Sequence, residues 1–181
     1  MSSPNKGITL VPLKCPDCGV LLDKKGERFA RCNACGVTYQ VTRRGLTPVK
    51  LRTSRQDGQK KPFWVFRVKV KITHRDATGN IGSLIGKLAG DSGAEGEIRV
   101  FVPAYETGNI MNTAIAVTQA QPRYDVSEIG DVMGVVLTED EAKRYLVPVI
   151  MGLEVKRKDT LHSIGFDIKV QEVSLDWVQV G

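Results

Sequence analysis

The chain has 181 residues, of which 41% are hydrophobic and 25% are charged, and its formal net charge is +6. This length predicts one ordinary domain plus a small one, and the apolar content argues against wholesale disorder. No stretch approaches the roughly 20 apolar residues of a membrane-spanning helix. Residues 1–7 are polar and carry no apolar signal-peptide core, so we expect a cytoplasmic location.

The positive charge is concentrated in the first third of the chain. Residues 1–62 contain 13 Lys/Arg and 4 Asp/Glu, a net charge of +9, whereas residues 63–181 have a net charge of −3. Any partner that carries negative charge is therefore expected to bind the first part of the chain.

The most specific motif is a pair of CxxC sequences that use all four cysteines of the chain: Cys15, Cys18, Cys32 and Cys35. Four thiolates in two tight turns, each followed by glycine, are the ligands of a tetrahedral structural Zn²⁺ site. A catalytic zinc would keep an open position, and four cysteines leave none open. The alternatives are redox chemistry and an iron–sulfur cluster, although a redox CxxC normally stands alone at a strand-to-helix junction.

Residues 10–50 are predicted to form a zinc ribbon. The chain runs from residues 20–22 to a turn at residues 23–26, returns through residues 29–31 and adds a third strand at residues 37–41. Such a three-stranded sheet is too small to be stable without the metal. Residues 51–62 are polar and basic, and we interpret them as a linker.

Residues 63–181 are predicted to form an α+β domain with a mostly antiparallel sheet and two helices. Apolar and basic side chains alternate over residues 64–72, which indicates a half-buried strand. Residues 76–96 are glycine-rich and predict a long loop, or a loop with a short helix, that carries a binding function. Residues 98–102 predict a further strand.

The second half of this domain contains both predicted helices. The first spans residues 107–121, with Thr107 as its N-cap, and ends before Pro122. After a predicted strand at residues 132–137, the second begins at a capping box and is kinked or shortened at Pro148. The alternation after residue 166 predicts strand pairing to the end of the chain.

Basic side chains of the first 62 residues could follow a phosphate backbone. The candidate nucleic-acid contacts are Arg28, Arg31, Arg43, Arg44, Arg52 and Arg55. The alternative is the solvated surface of a very small domain. Only Phe29 and Tyr39 lie among these residues in the ribbon, so a platform for stacking bases is weakly supported.

Two further motifs do not indicate catalysis. The Gly86-Lys87 pair resembles a phosphate-binding loop, but the spacing is one residue short and Leu88 replaces the Mg²⁺-binding hydroxyl residue. The glycines around it fit either a close helix contact or a flexible loop. His162 and Ser163 are adjacent in sequence and cannot face each other as base and nucleophile, so we expect no enzyme activity.

Residues 10–50 resemble the zinc ribbons of transcription factors and RNA-polymerase subunits. The remainder resembles the tails of uncharacterised prokaryotic zinc-ribbon proteins, through Pro62-Phe63-Trp64 and Val102-Pro103-Ala104-Tyr105. The resemblance implies a metal and a ribbon fold but no single function. We expect a non-enzymatic adaptor that docks a protein partner. The alternatives are a nucleic-acid-binding accessory factor and a noncatalytic subunit of an enzyme.

Overall fold

The computed structural model describes residues 12–25, 28–55, 58–78, 95–128, 132, 134–156 and 160–179, with the backbone alone at residues 126–128. The chain divides into two compact units, Met1–Val49 and Lys50–Gly181. Most of the glycine-rich segment predicted as a loop, residues 79–94, lies outside the described residues. In the ranges given above, no helix has the length and apolar character needed to cross a membrane.

The first unit contains a four-stranded antiparallel sheet. Its strands follow chain order and are β1 (Asp23–Lys25), β2 (Phe29–Arg31), β3 (Thr38–Thr42) and β4 (Gly45–Val49). The sequence predicted three strands and a turn at the position of β1. The fourth strand forms because Gly45 adopts a φ of 124°, which reverses the chain tightly enough for Thr42 and Gly45 to pair.

The core of the first unit is centred on the cysteines. Cys15, Cys32 and Tyr39 are buried together, and partly buried apolar side chains pack around them: Leu22, Val37 and Leu46. So few apolar side chains bury little surface, which makes this unit a candidate for stabilisation by a metal.

The second unit contains a five-stranded mixed sheet in the order β7-β6-β9-β5-β8. Its strands are β5 (Leu51–Ser54), β6 (Lys60–Thr78), β7 (Gly96–Pro103), β8 (Val126–Glu128) and β9 (Thr160–Gln179). Neighbouring strands are antiparallel except β5 and β9. This confirms the α+β class and the mostly antiparallel sheet.

The segment 51–62, expected to be a linker, instead contributes β5 and the start of β6 to this sheet. Leu51 is 7% exposed and pairs with Leu175 in the parallel register of β5 and β9. The four residues of β5 can form a strand because the adjacent strand β9 is already part of the sheet. A strand of four residues is too short for the alternation of apolar and polar side chains to be recognised in the sequence.

The two long strands β6 and β9 form the centre of the sheet, and β6 confirms the predicted alternation, whereas in β9 the alternation fails at Val170, which is exposed. Trp64, Phe66 and Val68 are buried, whereas Arg67 and Lys69 are exposed. Strand β7 pairs with β6 only as far as Val70. Beyond that residue, β6 and β9 continue together as a two-stranded ribbon whose register shifts at bulges.

The first helix, α1 (Ile110–Ala120), covers the edge of β7. Its N-cap is Asn109 rather than the predicted Thr107, because the Asn109 backbone is extended and its Oδ1 accepts the Asn112 N–H at 2.9 Å. At the other end of the helix, Thr118 Oγ1 accepts the Phe101 N–H at 3.0 Å. The helix thereby provides a hydrogen-bond acceptor for a backbone N–H at the outer edge of β7, where an edge strand could otherwise pair with another chain.

The predicted second helix is divided into α2 (Glu139–Lys143) and α3 (Leu146–Val155). The capping box is confirmed, since Thr138 Oγ1 accepts the Glu141 N–H and Glu141 Oε2 accepts the Thr138 N–H. Pro148 lies in the first turn of α3, where its missing N–H leaves no intrahelical bond unmade. The helix therefore restarts just before the proline.

The strand predicted at residues 132–137 is wrong for the residues described there, which have no ladder partner. Their backbone groups bond elsewhere: the Val136 N–H donates to Ala104 O at 2.6 Å, and Trp64 Nε1 donates to Leu137 O at 2.8 Å. An apolar run is consistent with any buried segment, so it could not distinguish this irregular stretch from a strand.

Candidate functional site

The two CxxC turns have the same backbone geometry. In the first, the Gly19 N–H donates to Cys15 O at 2.9 Å, and in the second the Gly36 N–H donates to Cys32 O at 2.8 Å. The two glycines have φ values of 75° and 77°, a left-handed conformation that side chains other than glycine rarely adopt. The sequence signal of a glycine after each CxxC therefore reflects a backbone requirement.

The turns bring all four cysteine sulfurs together, with Sγ atoms within 4.8 Å of one another. Cys15 Sγ lies 3.6 Å from Cys35 Sγ, and Cys18 Sγ lies 3.4 Å from Cys32 Sγ. These distances exclude disulfides, whose S–S bond is about 2.0 Å, and all four thiols are free. A tetrahedral site with metal–sulfur bonds of about 2.3 Å has edges of about 3.8 Å, so the cluster could hold a metal ion.

The four thiols fall into two groups according to whether their surroundings lower or raise the pKa. A hydrogen bond from the Tyr39 hydroxyl lowers the pKa of Cys15 to about 6, and the Cys35 backbone N–H lowers the pKa of Cys32. The Val20 N–H acts to lower the pKa of Cys18, but the neighbouring Cys32 and burial outweigh it and raise that pKa to about 12.

Cys35 behaves as Cys18 does. The Val37 N–H acts to lower its pKa, but interaction with Cys32 and burial outweigh it and raise the pKa. The pKa is therefore lowered at the first cysteine of each CxxC turn, Cys15 and Cys32, and raised at the second. A bound divalent cation would favour the thiolate form of all four cysteines and would offset two of their four negative charges.

Tyr39 and Asp17 form an outer layer around the cluster. The Tyr39 hydroxyl lies 3.3 Å from Cys15 Sγ and donates to Asp17 Oδ2 at 2.7 Å. The pKa of Tyr39 is raised by its hydrogen bonds to Cys15 and Asp17. Sequence reasoning considered Tyr39 only as a possible base-stacking residue and missed this contact, which depends on strand pairing.

The four ribbon arginines predicted to contact nucleic acid differ in their surroundings. Arg43 and Arg44 are exposed side by side in the turn between β3 and β4. Arg28 and Arg31 are half-buried and already engaged with neighbouring groups. In the first unit, the Arg43–Arg44 turn is therefore the more accessible basic site.

The other two predicted arginines belong to the second unit. Arg52 forms an ion pair with Glu172, and its side chain is only 21% exposed. Arg55 lies in an exposed bend, and its backbone N–H donates to Asp125 O at 3.2 Å. The structure thus assigns the six arginines to two separate units.

The two histidines each bond a hydroxyl across β6 and β9. His74 Nε2 lies 2.9 Å from Ser163 Oγ, and His162 Nε2 lies 2.7 Å from Thr78 Oγ1. Sequence reasoning compared His162 with the adjacent Ser163 and missed both cross-strand pairs. Among the described residues, no acidic side chain forms a hydrogen bond with His74. The exposed His74–Ser163 pair therefore has no third group that would orient the histidine, as a catalytic triad requires.

A cleft in the second unit also escaped sequence reasoning. It is lined by three arginines and two carboxylates from β5, β6, β7 and β9: Arg52, Arg67, Arg99, Glu172 and Asp176. No signal in the sequence indicated it, because Asp176 lies between Leu175 and Trp177 and alternation places it on the polar face of the strand. A comparison of the chain with family models, curated proteins and solved structures found no match.

Proposed function

We propose that the protein is a zinc-binding, non-enzymatic adaptor of the zinc-ribbon type. Its first unit is stabilised by one structural Zn²⁺ on Cys15, Cys18, Cys32 and Cys35, and it docks a protein partner through the second unit. The observation that carries the metal part is the convergence of four free thiols within 4.8 Å. Such a set fills a tetrahedral coordination sphere and leaves no position for a substrate.

The spacing of the sulfurs favours a single ion over an iron–sulfur cluster. Thiolate ligands suit both zinc and iron–sulfur centres. A cluster distributes its four cysteines over at least two iron atoms, which separates some sulfurs by more than the edge of one tetrahedron. The Cys15–Cys35 and Cys18–Cys32 distances of 3.6 and 3.4 Å fit the edges around one ion.

The docking part is supported by an apolar stripe on α3, formed by Val147, Met151 and Val155. These side chains are 48%, 42% and 61% exposed and lie four residues apart, on one face of the helix. The opposite face is buried in the second unit through Leu146, Val149 and Ile150. A helix that is apolar on both faces is normally covered on both.

Charges at the two ends of the stripe indicate the kind of surface that covers it. Arg144 precedes α3 and Lys156 follows it, and both are exposed. The proposed partner is therefore a protein surface with apolar side chains at its centre and acidic side chains at its border. Such charge complementarity orients a partner and speeds its association.

The experiment places a photo-crosslinking amino acid at position 151 or, as a control, at position 170, where Val170 is 38% exposed on β9. The captured protein is identified and its complex with the purified chain is reconstituted. We expect crosslinking from position 151 alone, at an apolar site bordered by acids. Met151→Asp with Val155→Asp should abolish binding, and Val170→Asp should not. Equal binding by both variants, or capture of a second copy of this chain, would overturn the adaptor proposal.

Nucleic-acid binding is the second candidate, because Arg43 and Arg44 are exposed and form no ion pair with any described residue. Binding to generic DNA and RNA is measured against salt concentration for the wild type and for Arg43→Ala with Arg44→Ala. Loss of two phosphate contacts should flatten the log–log slope by about 1.8. Lys143→Ala in the second unit is the control. An unchanged slope in the double variant excludes this turn as the nucleic-acid site.

The third candidate, a noncatalytic subunit of an enzyme, is decided by the same crosslinking experiment. A captured partner with catalytic activity of its own would favour it. In that case the Met151→Asp and Val155→Asp variant should separate the chain from the enzyme without removing the zinc.

A further inference from the structure

A cleft of about 130 Å³ opens on one face of the five-stranded sheet. Val65 and Ser174 are directly paired across β6 and β9 at its centre. Two residues further along β6, Arg67 lies opposite Glu172 on β9 and opposite Arg99 on β7. These charged side chains form part of the border of the cleft. Small side chains at the centre and long ones around it make the concave shape.

Several of the charged groups are already satisfied within the protein. The Glu172 carboxylate accepts from Lys50 at 2.6 Å and also pairs with Arg52. The Arg99 guanidinium donates to a backbone carbonyl and lies 5.3 and 5.5 Å from the ring centres of Phe101 and Tyr124. These contacts hold Glu172 and Arg99 at the border of the cleft.

Two groups that line the cleft are not satisfied. Asp176 is 2% exposed, and its Oδ2 accepts the Tyr124 hydroxyl at 2.7 Å, but its Oδ1 has no hydrogen-bond partner among the described residues. Arg67 is exposed, and its guanidinium forms no ion pair in the part of the chain that the structure describes. A buried acceptor left unpaired is costly, so Asp176 Oδ1 is the position in the cleft that favours a donor from a ligand.

These groups together restrict the chemistry of the ligand. A simple cation would be repelled by the arginines, of which there are three against two carboxylates. A fully deprotonated oxyanion would place an acceptor against the Asp176 carboxylate. The ligand must therefore combine oxygen acceptors for the arginines with one O–H or N–H donor for Asp176 Oδ1.

We propose that the cleft binds a protonated phosphate group, with its unprotonated oxygens on Arg67 and its P–OH donating to Asp176 Oδ1. Inorganic phosphate at neutral pH keeps at least one proton, and its size suits a cleft of about 130 Å³. The guanidinium fork matches the geometry of phosphate oxygens. The residue set carries a net charge of +1 before binding, so an anion is attracted and not repelled.

The proposal predicts discrimination between phosphate and sulfate, which have the same shape. Sulfate has no proton at neutral pH and cannot donate to Asp176. Sites built to bond a ligand hydroxyl reject analogues that lack it by large factors, because the buried protein group stays unpaired. We expect phosphate to bind at least roughly 100-fold more tightly than sulfate.

Calorimetric titration of the zinc-loaded full chain with inorganic phosphate, sulfate and glycerol 2-phosphate tests the proposal. At neutral pH inorganic phosphate keeps a P–OH proton, whereas a phosphate monoester such as glycerol 2-phosphate loses its last one at about pH 6. Tighter binding of inorganic phosphate than of glycerol 2-phosphate therefore supports the proposed contact to Asp176, and tighter binding of glycerol 2-phosphate overturns it. Equal binding of phosphate and sulfate, or no binding of any of the three at millimolar concentration, overturns it.

Asp176→Asn is the decisive variant. The amide keeps an oxygen acceptor for Tyr124 and presents an N–H₂ donor to the cleft, so sulfate affinity should rise and phosphate affinity should fall. Arg67→Gln should weaken both anions about 10-fold or more, and Lys69→Gln, an exposed lysine that does not line the cleft, should change neither. If Asp176→Asn does not fold, as judged by circular dichroism, an unchanged phosphate affinity in Arg67→Gln still overturns the proposal.

Discussion

The Tyr39 hydroxyl oxygen lies 3.3 Å from Cys15 Sγ, inside the small buried core of the first unit. A hydroxyl has one hydrogen, and Tyr39 donates it to Asp17 Oδ2 at 2.7 Å, so Asp17 and the Cys15 sulfur compete for this hydrogen. Groups that bond to metal ligands typically change metal affinity 10- to 100-fold when removed. Tyr39→Phe should therefore weaken zinc binding by roughly that factor.

Competition with a zinc chelator measures this effect. The hydroxyl lowers the pKa of Cys15, so its loss raises that pKa, and the variant should release zinc at a higher pH than the wild type. Tyr105→Phe in the second unit is the control. An unchanged zinc affinity and release pH in Tyr39→Phe would show that the hydroxyl does not act on the site.

The metal site and its outer layer differ in how far the sequence predicts them. The two CxxC turns are local, since Gly19 and Gly36 specify each turn within a few residues, and four ligands in two turns can meet at one ion. Tyr39 lies on β3, 24 residues from Cys15, and the two meet only in the folded core of the first unit. No local pattern encodes that contact.

Replacing one cysteine should affect only the first unit. Cys32→Ser removes a buried ligand, so we expect loss of zinc together with loss of the NMR amide dispersion of residues 12–49. The second unit has a separate sheet and helices, and its thermal unfolding midpoint should change by less than about 2 °C. Asn33→Ser, an exposed change in the same turn, is the control.

Simultaneous unfolding of both units in Cys32→Ser would contradict their independence. Retention of the wild-type zinc content would contradict the assignment of Cys32 as a ligand. Metal analysis and amide spectra of the same sample distinguish the two results.

Glu154 and Arg75 form an ion pair in the second unit that should contribute strongly to its stability. Glu154 is fully buried in α3, and its Oε2 lies 3.4 Å from Arg75 Nε on β6. Removal of one partner of a buried ion pair typically costs about 3–5 kcal/mol. Glu154→Met should lower the free energy of unfolding by about that amount.

The double variant separates this charge effect from packing. Arg75→Met added to Glu154→Met removes the remaining charge and should recover a large part of the loss, as urea unfolding would show. Asp167→Asn, an exposed change on β9, should stay within about 0.5 kcal/mol of the wild type. A double variant less stable than Glu154→Met alone would mean that the methionines disrupt packing.

The fold of the second unit was predictable where one segment determines its own structure. Alternation over residues 64–72 predicted β6, and the Thr138–Glu141 capping box predicted the start of α2. The prediction was wrong where a group distant in the sequence determines the local structure. Residues 51–54 become a strand because β9 offers an edge, and Val136 stays out of a ladder because its N–H bonds Ala104 O.

The last prediction concerns the pH dependence of Glu172. The ammonium of Lys50, at 2.6 Å, and the guanidinium of Arg52 hold the pKa of this carboxyl below its usual value. A lowered folded-state pKa contributes stability above the unfolded-state pKa, and that stability is lost as the pH falls through the folded value. Because the side chain is 31% exposed, solvent screening limits the contribution to less than about 1 kcal/mol.

Glu172→Gln should therefore be slightly less stable than the wild type at pH 7, and the difference should disappear in acid, once Glu172 is protonated in the folded protein. Urea unfolding at several pH values measures this, and added salt should reduce the difference at pH 7. Glu95→Gln is the matched control, because Glu95 is exposed in the residues before β7. A stability difference that grows as the pH falls would have the opposite sign and would show that Glu172 is destabilised, not stabilised, by its surroundings.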